Sequence, residues 1–496
     1  MMPVDDTAKS NQLTDSPSRM ATDMLAQGVT RIALALKAFL FLPIISKSLG
    51  AEAYGIWTQV LVTVTLLAPV IQLRLDTASV RFLAAKPRTE ANAEYVSLFL
   101  AVCVSSVVFG FCLLIGRSVA AYAMFGDPSL VRFAVLLVPM LVMYIVSDFL
   151  LAYFRTMDRI KLLSLLQILR ATAEVLIVAL VVLVYKADVY CALLAMLLVG
   201  SAFLAFTGAL AIAHLGRIRP ASLRTILPYF RYAIPLVPTA ALFWTVNFAD
   251  RFVIAHYLGL SDVAVYAAWY GIAQLVILVV GPIGYVLFPT LSRLWGVGNV
   301  ERARAYFEQS IRATLIISIP IAFGIWAGAP TLIQFITTSE FVASDGLAAA
   351  LVGSMLFVGL YQLWAYTIHL HGKTGILLVI FVLVGSTNLG LNLLWVPSWG
   401  IMGAAISTLI CYAMLFIFVV WAGRNVLTTR ISRLAPLRLL VAGGVMAIVI
   451  RALNPIGVLS LVWSVAAGGA AYCLLIILLR VVTRQDYTLF RKMFTK

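Results

Sequence analysis

A chain of 496 residues that is 63% hydrophobic and 11% charged, with a mean hydropathy of +1.03, lies far outside the soluble range of roughly 25% charge, which excludes an ordinary soluble enzyme or binding domain. Its apolar runs are about 20 residues long with short polar breaks, the length a helix needs to cross a hydrocarbon core of about 30 Å; barrel strands would be shorter and alternating. The net charge of +16 does not make a nucleic-acid surface, because the bases sit in the gaps between apolar runs and not on one domain.

Residues 1–28 are polar and lack the basic-then-apolar order of a cleaved signal peptide, so a mobile cytoplasmic tail is expected there. About 14 apolar spans follow, near 29–48, 54–74, 94–116, 131–154, 162–185, 189–213, 232–258, 263–288, 310–331, 346–368, 375–396, 401–422, 436–452 and 458–480. With the N-terminus in the cytoplasm, the breaks on that side hold about 22 Lys and Arg and the opposite breaks about two, Arg117 and Lys186, which places both ends inside. No outer break is long enough for a catalytic domain.

The chain repeats itself. SLGAEAYGIW (48–57) follows the first span and YLGLSDVAVY (257–266) the seventh; aligning Gly50 with Gly259 sets Trp57 opposite Tyr266. The next span of each half ends on a basic residue, Arg81 in DTASVRFLA or Arg293 in FPTLSRLWG. One mismatch stands out, Ala264 where the first copy has Gly55. An even number of spans per half gives both halves the same orientation, related by a pseudo-twofold axis along the membrane normal. The expected fold is therefore all-α and integral to the membrane: an N-lobe at 29–213, a cytoplasmic linker at 214–228, a C-lobe at 229–424, two further helices within 436–480, and a cytoplasmic tail at 481–496.

Charged residues inside the spans are the candidates for function, because a charge facing lipid at depth costs about 3 kcal/mol or more and normally faces a protein-lined cavity. Span one holds Arg31, which can snorkel, and Lys37, about 18 Å from the outer end and so near mid-membrane. Span two ends with Arg74, Asp76 and Arg81, which also read as topology-setting boundary charges. Span four holds Asp148; span five holds Arg170 and Glu174, whose spacing of four puts them on one face, where a structural pair and a working pair are equally open readings. Span seven is bent by Pro235 and Pro238 and carries Asp250 beside Arg251; adjacent residues point about 100° apart, so one is expected to face the cavity while the other pairs with a neighbouring helix.

Basic residues outnumber acidic ones inside the first seven spans, a balance that attracts an anion such as a phosphate or pyrophosphate. The cationic cavity set is Arg31, Lys37, Arg74, Arg81, Arg170 and Arg251; the candidate coupling acids are Asp148, Glu174 and Asp250. Trp244, Trp269, Trp364, Tyr361 and Tyr366 could stack on sugar rings or simply anchor and pack helices. His369 and His371 point to opposite sides of a helix and do not suggest a metal, the five cysteines lack metal-like spacing, and no phosphate-binding loop, HExxH or GxSxG occurs. No cofactor and no enzymatic activity is expected; energy would come from an ion gradient, the membrane potential or the substrate gradient.

PIISKSLGAEAYGIW, the IPLVP, ADRFVIAHYLG, VAVYAAWYGIA and FPTLSRL block, and VPSWGIMGAAISTLICY with its Gly400-x2-Gly403 turn together resemble polysaccharide biosynthesis and export proteins of the O-antigen flippase type, in the multidrug/oligosaccharidyl-lipid/polysaccharide exporter superfamily. The resemblance runs over about residues 25–425. It implies two six-helix lobes around a V-shaped cavity, two added C-terminal helices, and flipping of an undecaprenyl-diphosphate-linked oligosaccharide (O-antigen, capsule or exopolysaccharide unit) across the bacterial inner membrane by alternating access. The partners to expect are that substrate, membrane lipids, H+ or Na+ as coupling ion, and polysaccharide polymerase or chain-length machinery. The competing expectations are a cation-coupled drug exporter of the same fold and a lipid-linked peptidoglycan precursor flippase.

Overall fold

A run of twenty apolar residues in lipid can satisfy its backbone N–H and C=O groups only within itself, so each run folds as helix. The computed structural model describes residues 17–83, 86–157, 159–215, 220–372, 374–427 and 434–481, and its regular elements are all helical among those residues. Expectations for residues 1–16 and 482–496, and for the breaks at 84–85, 158, 216–219, 373 and 428–433, lie outside the described residues.

The helices are α1 (Pro17–Ile71), α2 (Leu75–Leu83), α3 (Arg88–Ile115), α4 (Arg117–Phe125), α5 (Val131–Thr156), α6 (Ile160–Ala179), α7 (Val189–Leu215), α8 (Leu223–Ala233) and α9 (Leu236–Tyr257). They continue as α10 (Leu260–Ala273), α11 (Val280–Gly296), α12 (Val300–Ile336), α13 (Asp345–Leu370), α14 (Thr374–Trp399), α15 (Ile401–Gly423), α16 (Leu434–Ala452) and α17 (Val458–Leu478). Among the described residues, thirteen helical stretches are long and apolar enough to span a membrane. The first, Leu25–Ile71, has 47 residues, about 70 Å of helix and more than twice a bilayer core, and Gly50 breaks it with φ 84° and ψ −178°. That break makes two crossings of one element and restores the expected fourteen. The expected tail is corrected in part: residues 17–28 are the first turns of α1, because a proline start and the helix-forming Met, Ala, Leu and Gln offer no stop before the membrane.

Gly259, aligned with Gly50 in the repeat, has φ 106° and ψ 178°, so the same extended, positive-φ glycine turns the chain into the next helix in both copies. Gly400 does so again before α15, with φ 61° and ψ −147°. The mismatch at Gly55 also has a physical cause: a Cβ there would run into the Leu260 carbonyl, whereas Ala264 is fully buried with its methyl accommodated.

By packing, the chain forms two units. The first takes Met1–Ile44, Val64–Arg117 and Arg132–Val237. Its central helix is α5, 72% buried over its apolar window, against 22% for α3 and α6. Tyr95 of α3 stacks on Phe149 of α5 at 5.3 Å and its hydroxyl donates to the Phe149 carbonyl at 2.9 Å. The second takes Ile45–Thr63, Ser118–Val131 and Pro238–Lys496. Here the tip of the first hairpin is tied down by the Ala51 N–H, which donates to Glu340 at 2.9 Å, by Lys47 donating to the Phe335 carbonyl at 2.5 Å, and by Gln59 donating to the Met124 carbonyl at 2.6 Å. The last two helices pack on α12 through Leu439, Ala442, Met446 and Ile450, and Tyr472 donates to the Ile316 carbonyl at 3.0 Å. Their opposite side leaves Val462, Trp463 and Leu474 exposed, as Val104, Val107 and Phe111 are on α3; apolar surface this continuous is lipid-facing.

Candidate functional site

In the first unit, α1 and α6 bring three charges together at mid-depth. Lys37 lies about 20 Å along the helix from the Gly50 break. Its Nζ donates to Glu174 Oε2 at 2.6 Å, while Arg170 Nε donates to Glu174 Oε1 at 2.8 Å. The i,i+4 spacing on α6 produces the second contact; the first joins residues far apart in sequence. Glu174 is completely buried, but Lys37 keeps 22% of its side-chain surface and Arg170 12%, so the two cations form the accessible side of the cluster. Arg170 also lies against the Met143 sulfur at 3.5 Å and near the rings of Tyr144 and Phe203. Two cations share one carboxylate, which leaves one net positive charge.

Toward the cytoplasmic side expected from the basic breaks, the chain breaks after α1. Leu73 and Arg74 both have positive φ, 51° and 55°, a conformation that bulky residues rarely adopt. Just before that break, Gln72 Nε2 donates to the Ile145 carbonyl at 3.1 Å and to Asp148 Oδ2 at 3.2 Å. Asp148 is half-buried and forms no ion pair among the described residues. Arg74 donates to Thr77 at 2.6 Å and lies 3.9 Å from Asp76; exposed Arg81 stacks on Tyr232 at 4.5 Å; Arg31 is exposed on α1. These three cations lie apart from the Lys37 cluster in contact terms. Sequence reasoning missed Gln72, whose only signal is an amide at the end of an apolar span.

The second unit holds a separate, closed network. Arg251 Nη1 pairs with Asp250 Oδ1 at 2.9 Å and also donates to the Asn247 carbonyl at 3.1 Å. Of the two expected directions, Asp250 does meet a neighbouring helix, whereas Arg251 does not face open space, since the 100° rule applies to Cβ directions and a long guanidinium can fold back onto its neighbour. Tyr266 donates to Asp250 Oδ2 at 2.6 Å, and Tyr412 donates to Asn247 Oδ1 at 2.8 Å. The Arg251 guanidinium lies over Tyr270 at 4.5 Å, Phe248 at 5.0 Å and Tyr266 at 5.5 Å. Both charged side chains are buried, at 4% and 2% exposure, so this arginine is enclosed by protein.

The aromatic candidates for sugar stacking divide the same way. Trp244, Trp269, Trp364 and Tyr361 are buried, with Trp269 Nε1 donating to the Phe341 carbonyl at 2.9 Å and Trp364 edge-on to Phe307 at 5.1 Å. Tyr366, half-buried, lies against Phe288 at 4.9 Å. Among the described residues no group of His, Cys, Asp and Glu could hold a metal, and the five cysteines are free thiols.

Residues 22–295 match the family model described as polysaccharide biosynthesis protein, more than half of the chain. The chain belongs to that family. Residues 235–394 also match the MatE family model. The chain is 26% identical over 242 residues to the probable flippase AglR of Haloferax volcanii, covering 46% of this chain and 49% of the relative. It is 21% identical over 191 residues to that organism's probable low-salt glycan biosynthesis flippase Agl15, covering 38% and 40%. With an uncharacterized membrane protein of Methanocaldococcus jannaschii it shares 29% over 140 residues, covering 28% and 27%. The chain thus spans between about a quarter and a half of the length of these curated relatives.

Among solved structures it is similar to the lipid II flippase MurJ in an inward closed conformation, with TM-score 0.74, 14% identity, and 93% of this chain and 99% of that chain covered. An inward-facing multidrug resistance MATE transporter of the MOP superfamily follows with TM-score 0.65, 16% identity, and 80% and 97% coverage. Likeness at these identities carries the fold. The chain is thus a multi-pass membrane protein of the polysaccharide biosynthesis family, built on the expected all-helical plan.

Proposed function

We propose that this transporter flips a lipid-linked saccharide whose phosphate or diphosphate is held by Lys37 and Arg170 while the lipid tail stays in the bilayer. The observation that carries the reading is the uncompensated positive charge of the Lys37–Glu174–Arg170 cluster at mid-depth of a membrane helix bundle. Such a charge is costly unless an anion meets it, and Lys and Arg bind phosphate oxygens through charge-assisted hydrogen bonds. Arg31, Arg74 and Arg81, all with exposed surface, give the anion its first contacts on the way in. Arg251, enclosed by Asp250 and three aromatic rings, holds the second unit together and does not touch substrate.

The carrier is a polyprenyl diphosphate, undecaprenyl in a bacterial inner membrane, and the saccharide an O-antigen, capsule or exopolysaccharide unit handed on to polymerising machinery. Both termini are cytoplasmic, a reading supported by the basic breaks. Alternating access between an N-terminal and a C-terminal lobe moves the cargo. Of the three candidate acids, Glu174 and Asp250 already face cations, so coupling to H+ falls to Asp148. A second reading, a cation-coupled exporter of small molecules, draws on the MatE match over 235–394 and on that same acid; it has no need of Lys37.

The test is binding by the full chain in nanodiscs, comparing a polyprenyl-diphosphate saccharide with the corresponding uncharged polyprenol. Wild type should prefer the diphosphate by about tenfold or more, a preference that Lys37→Ala loses. A wild type without that preference would sink the reading.

A further inference from the structure

The membrane has no room for one of the helices. Leu223–Tyr257 is an apolar stretch of 35 residues, about 52 Å as a single helix, against a core of about 30 Å. The chain breaks at Ile234 and Pro235, and α9, with 22 residues and about 33 Å, completes a crossing alone. α8 is therefore left at the membrane boundary, at the end of α9 that adjoins the basic breaks.

One side of α8 is spoken for. Ile226, Tyr229 and Ala233, at spacings of three and four, are buried on the first unit. The Tyr229 hydroxyl donates to Glu94, the rings of Tyr229 and Tyr232 meet Phe82 edge-on at 5.1 and 5.4 Å, and Arg81 covers Tyr232. The other side has no protein partner among these contacts. Leu223 is 82% exposed and Leu227, one turn on, 47%. Beside that apolar stripe, Arg224 and Arg231 are both exposed, and α8 contains no acidic residue. The nearby carboxylates do not offset them, since Lys86 holds Glu90 at 2.8 Å and Glu94 at 2.5 Å.

Leucines beside arginines on a fixed helix at the boundary are the pattern of an interfacial helix, with the apolar stripe among acyl chains and the basic stripe at headgroup level. We propose that α8 is a docking surface for anionic phospholipid: Leu223 and Leu227 enter the acyl region, and Arg224 and Arg231 take the headgroup phosphates. Charge complementarity selects the partner, because two cations with no acid on the same helix favour a net-negative headgroup over a zwitterionic one. This surface is independent of the Lys37 cluster and of the cargo assigned to it.

The experiment uses the full-length protein in vesicles doped with tail-photoactivatable phosphatidylglycerol or the corresponding phosphatidylcholine, with labelled peptides mapped by mass spectrometry. Wild type should label at Leu223 and Leu227 and favour phosphatidylglycerol. Arg224→Gln should lower phosphatidylglycerol labelling about fivefold, and Arg231→Gln likewise, leaving phosphatidylcholine labelling unchanged. Both arginines are exposed and outside the Tyr229–Glu94 anchor, so folding is not at stake. Absence of label on 223–233 from both lipids would overturn the proposal. So would equal phosphatidylglycerol labelling in the arginine variants. Loss of labelling on adding inorganic phosphate at constant ionic strength would also overturn it, showing a site for free phosphate instead of lipid.

Discussion

Gly55, near the start of the second crossing, lies directly against the main-chain carbonyl of Leu260 at the start of α10. A backbone carbonyl cannot rotate away as a flexible side chain can, so the first hairpin's tip stays on α10 only while residue 55 has no Cβ. Gly55→Ala should therefore destabilise the protein by about 1–3 kcal/mol or more. Ala264→Gly, at the aligned position of the second copy, removes only a buried methyl and should cost about 1 kcal/mol. Melting of the two variants in detergent checks the order; equal melting temperatures would contradict the close approach.

In the Lys37–Glu174–Arg170 cluster the sign of the remaining charge decides the effect. Lys37→Ala leaves a neutral Arg170–Glu174 pair and should abolish preference for an anionic ligand with little loss of fold. Glu174→Gln leaves two cations facing each other and should cost about 3–5 kcal/mol, as breaking a buried pair does, while the variant that does fold keeps or strengthens anion binding. Thermal unfolding and anion titration of the same preparations separate the two.

Asp250 and Arg251 are expected to behave as architecture. Either Asp250→Ala or Arg251→Ala strands a buried charge and should sharply lower folded yield, whereas Asp250→Asn with Arg251→Gln should be milder than the sum of the single changes. Tyr266→Phe removes a hydrogen bond to a carboxylate and should cost about 1.5–3 kcal/mol. An Arg251→Ala protein that folds normally yet loses substrate would return this residue to the binding site.

Asp148 accepts from Gln72 beside two positive-φ residues, Leu73 and Arg74. Protonating the acid weakens that hold on the end of the second crossing. Asp148→Asn should therefore make transport indifferent to an imposed proton gradient, with substrate affinity kept, and Asp76→Asn should not. Uptake rates in vesicles at matched protein, with and without the gradient, give the answer.

Much of this was legible in the sequence where the signal is local. Span lengths, the side on which basic residues gather, and the paired Leu-Gly dipeptides announced the helices and the shared turn at Gly50 and Gly259. The Arg170–Glu174 pair was visible because a spacing of four makes neighbours on any helix. The Lys37–Glu174 contact was not, since it joins residues 137 apart and no periodicity encodes which helices meet. Of Asp250 and Arg251, the expected contact with a neighbouring helix is made by Asp250, through Tyr266, while the fold-back of the guanidinium was not legible because side-chain reach outweighs Cβ direction. The tryptophans stayed open between stacking and packing because an aromatic residue carries no mark of which face is buried. α8 was hidden because it straddles the expected linker at 214–228 and the start of the expected C-lobe at 229, too short to stand out as a span.

The central claim is that an anionic lipid carrier crosses the membrane past Lys37. Its most direct test is transbilayer movement of a fluorescent polyprenyl-diphosphate saccharide in vesicles holding the purified full chain, read by the fraction accessible to an external quencher. Wild type should make inner-leaflet substrate accessible, Lys37→Arg should retain most of that rate, and Lys37→Ala should fall to that of protein-free vesicles at equal reconstitution. Lys37→Ala moving the substrate as fast as wild type would contradict the account.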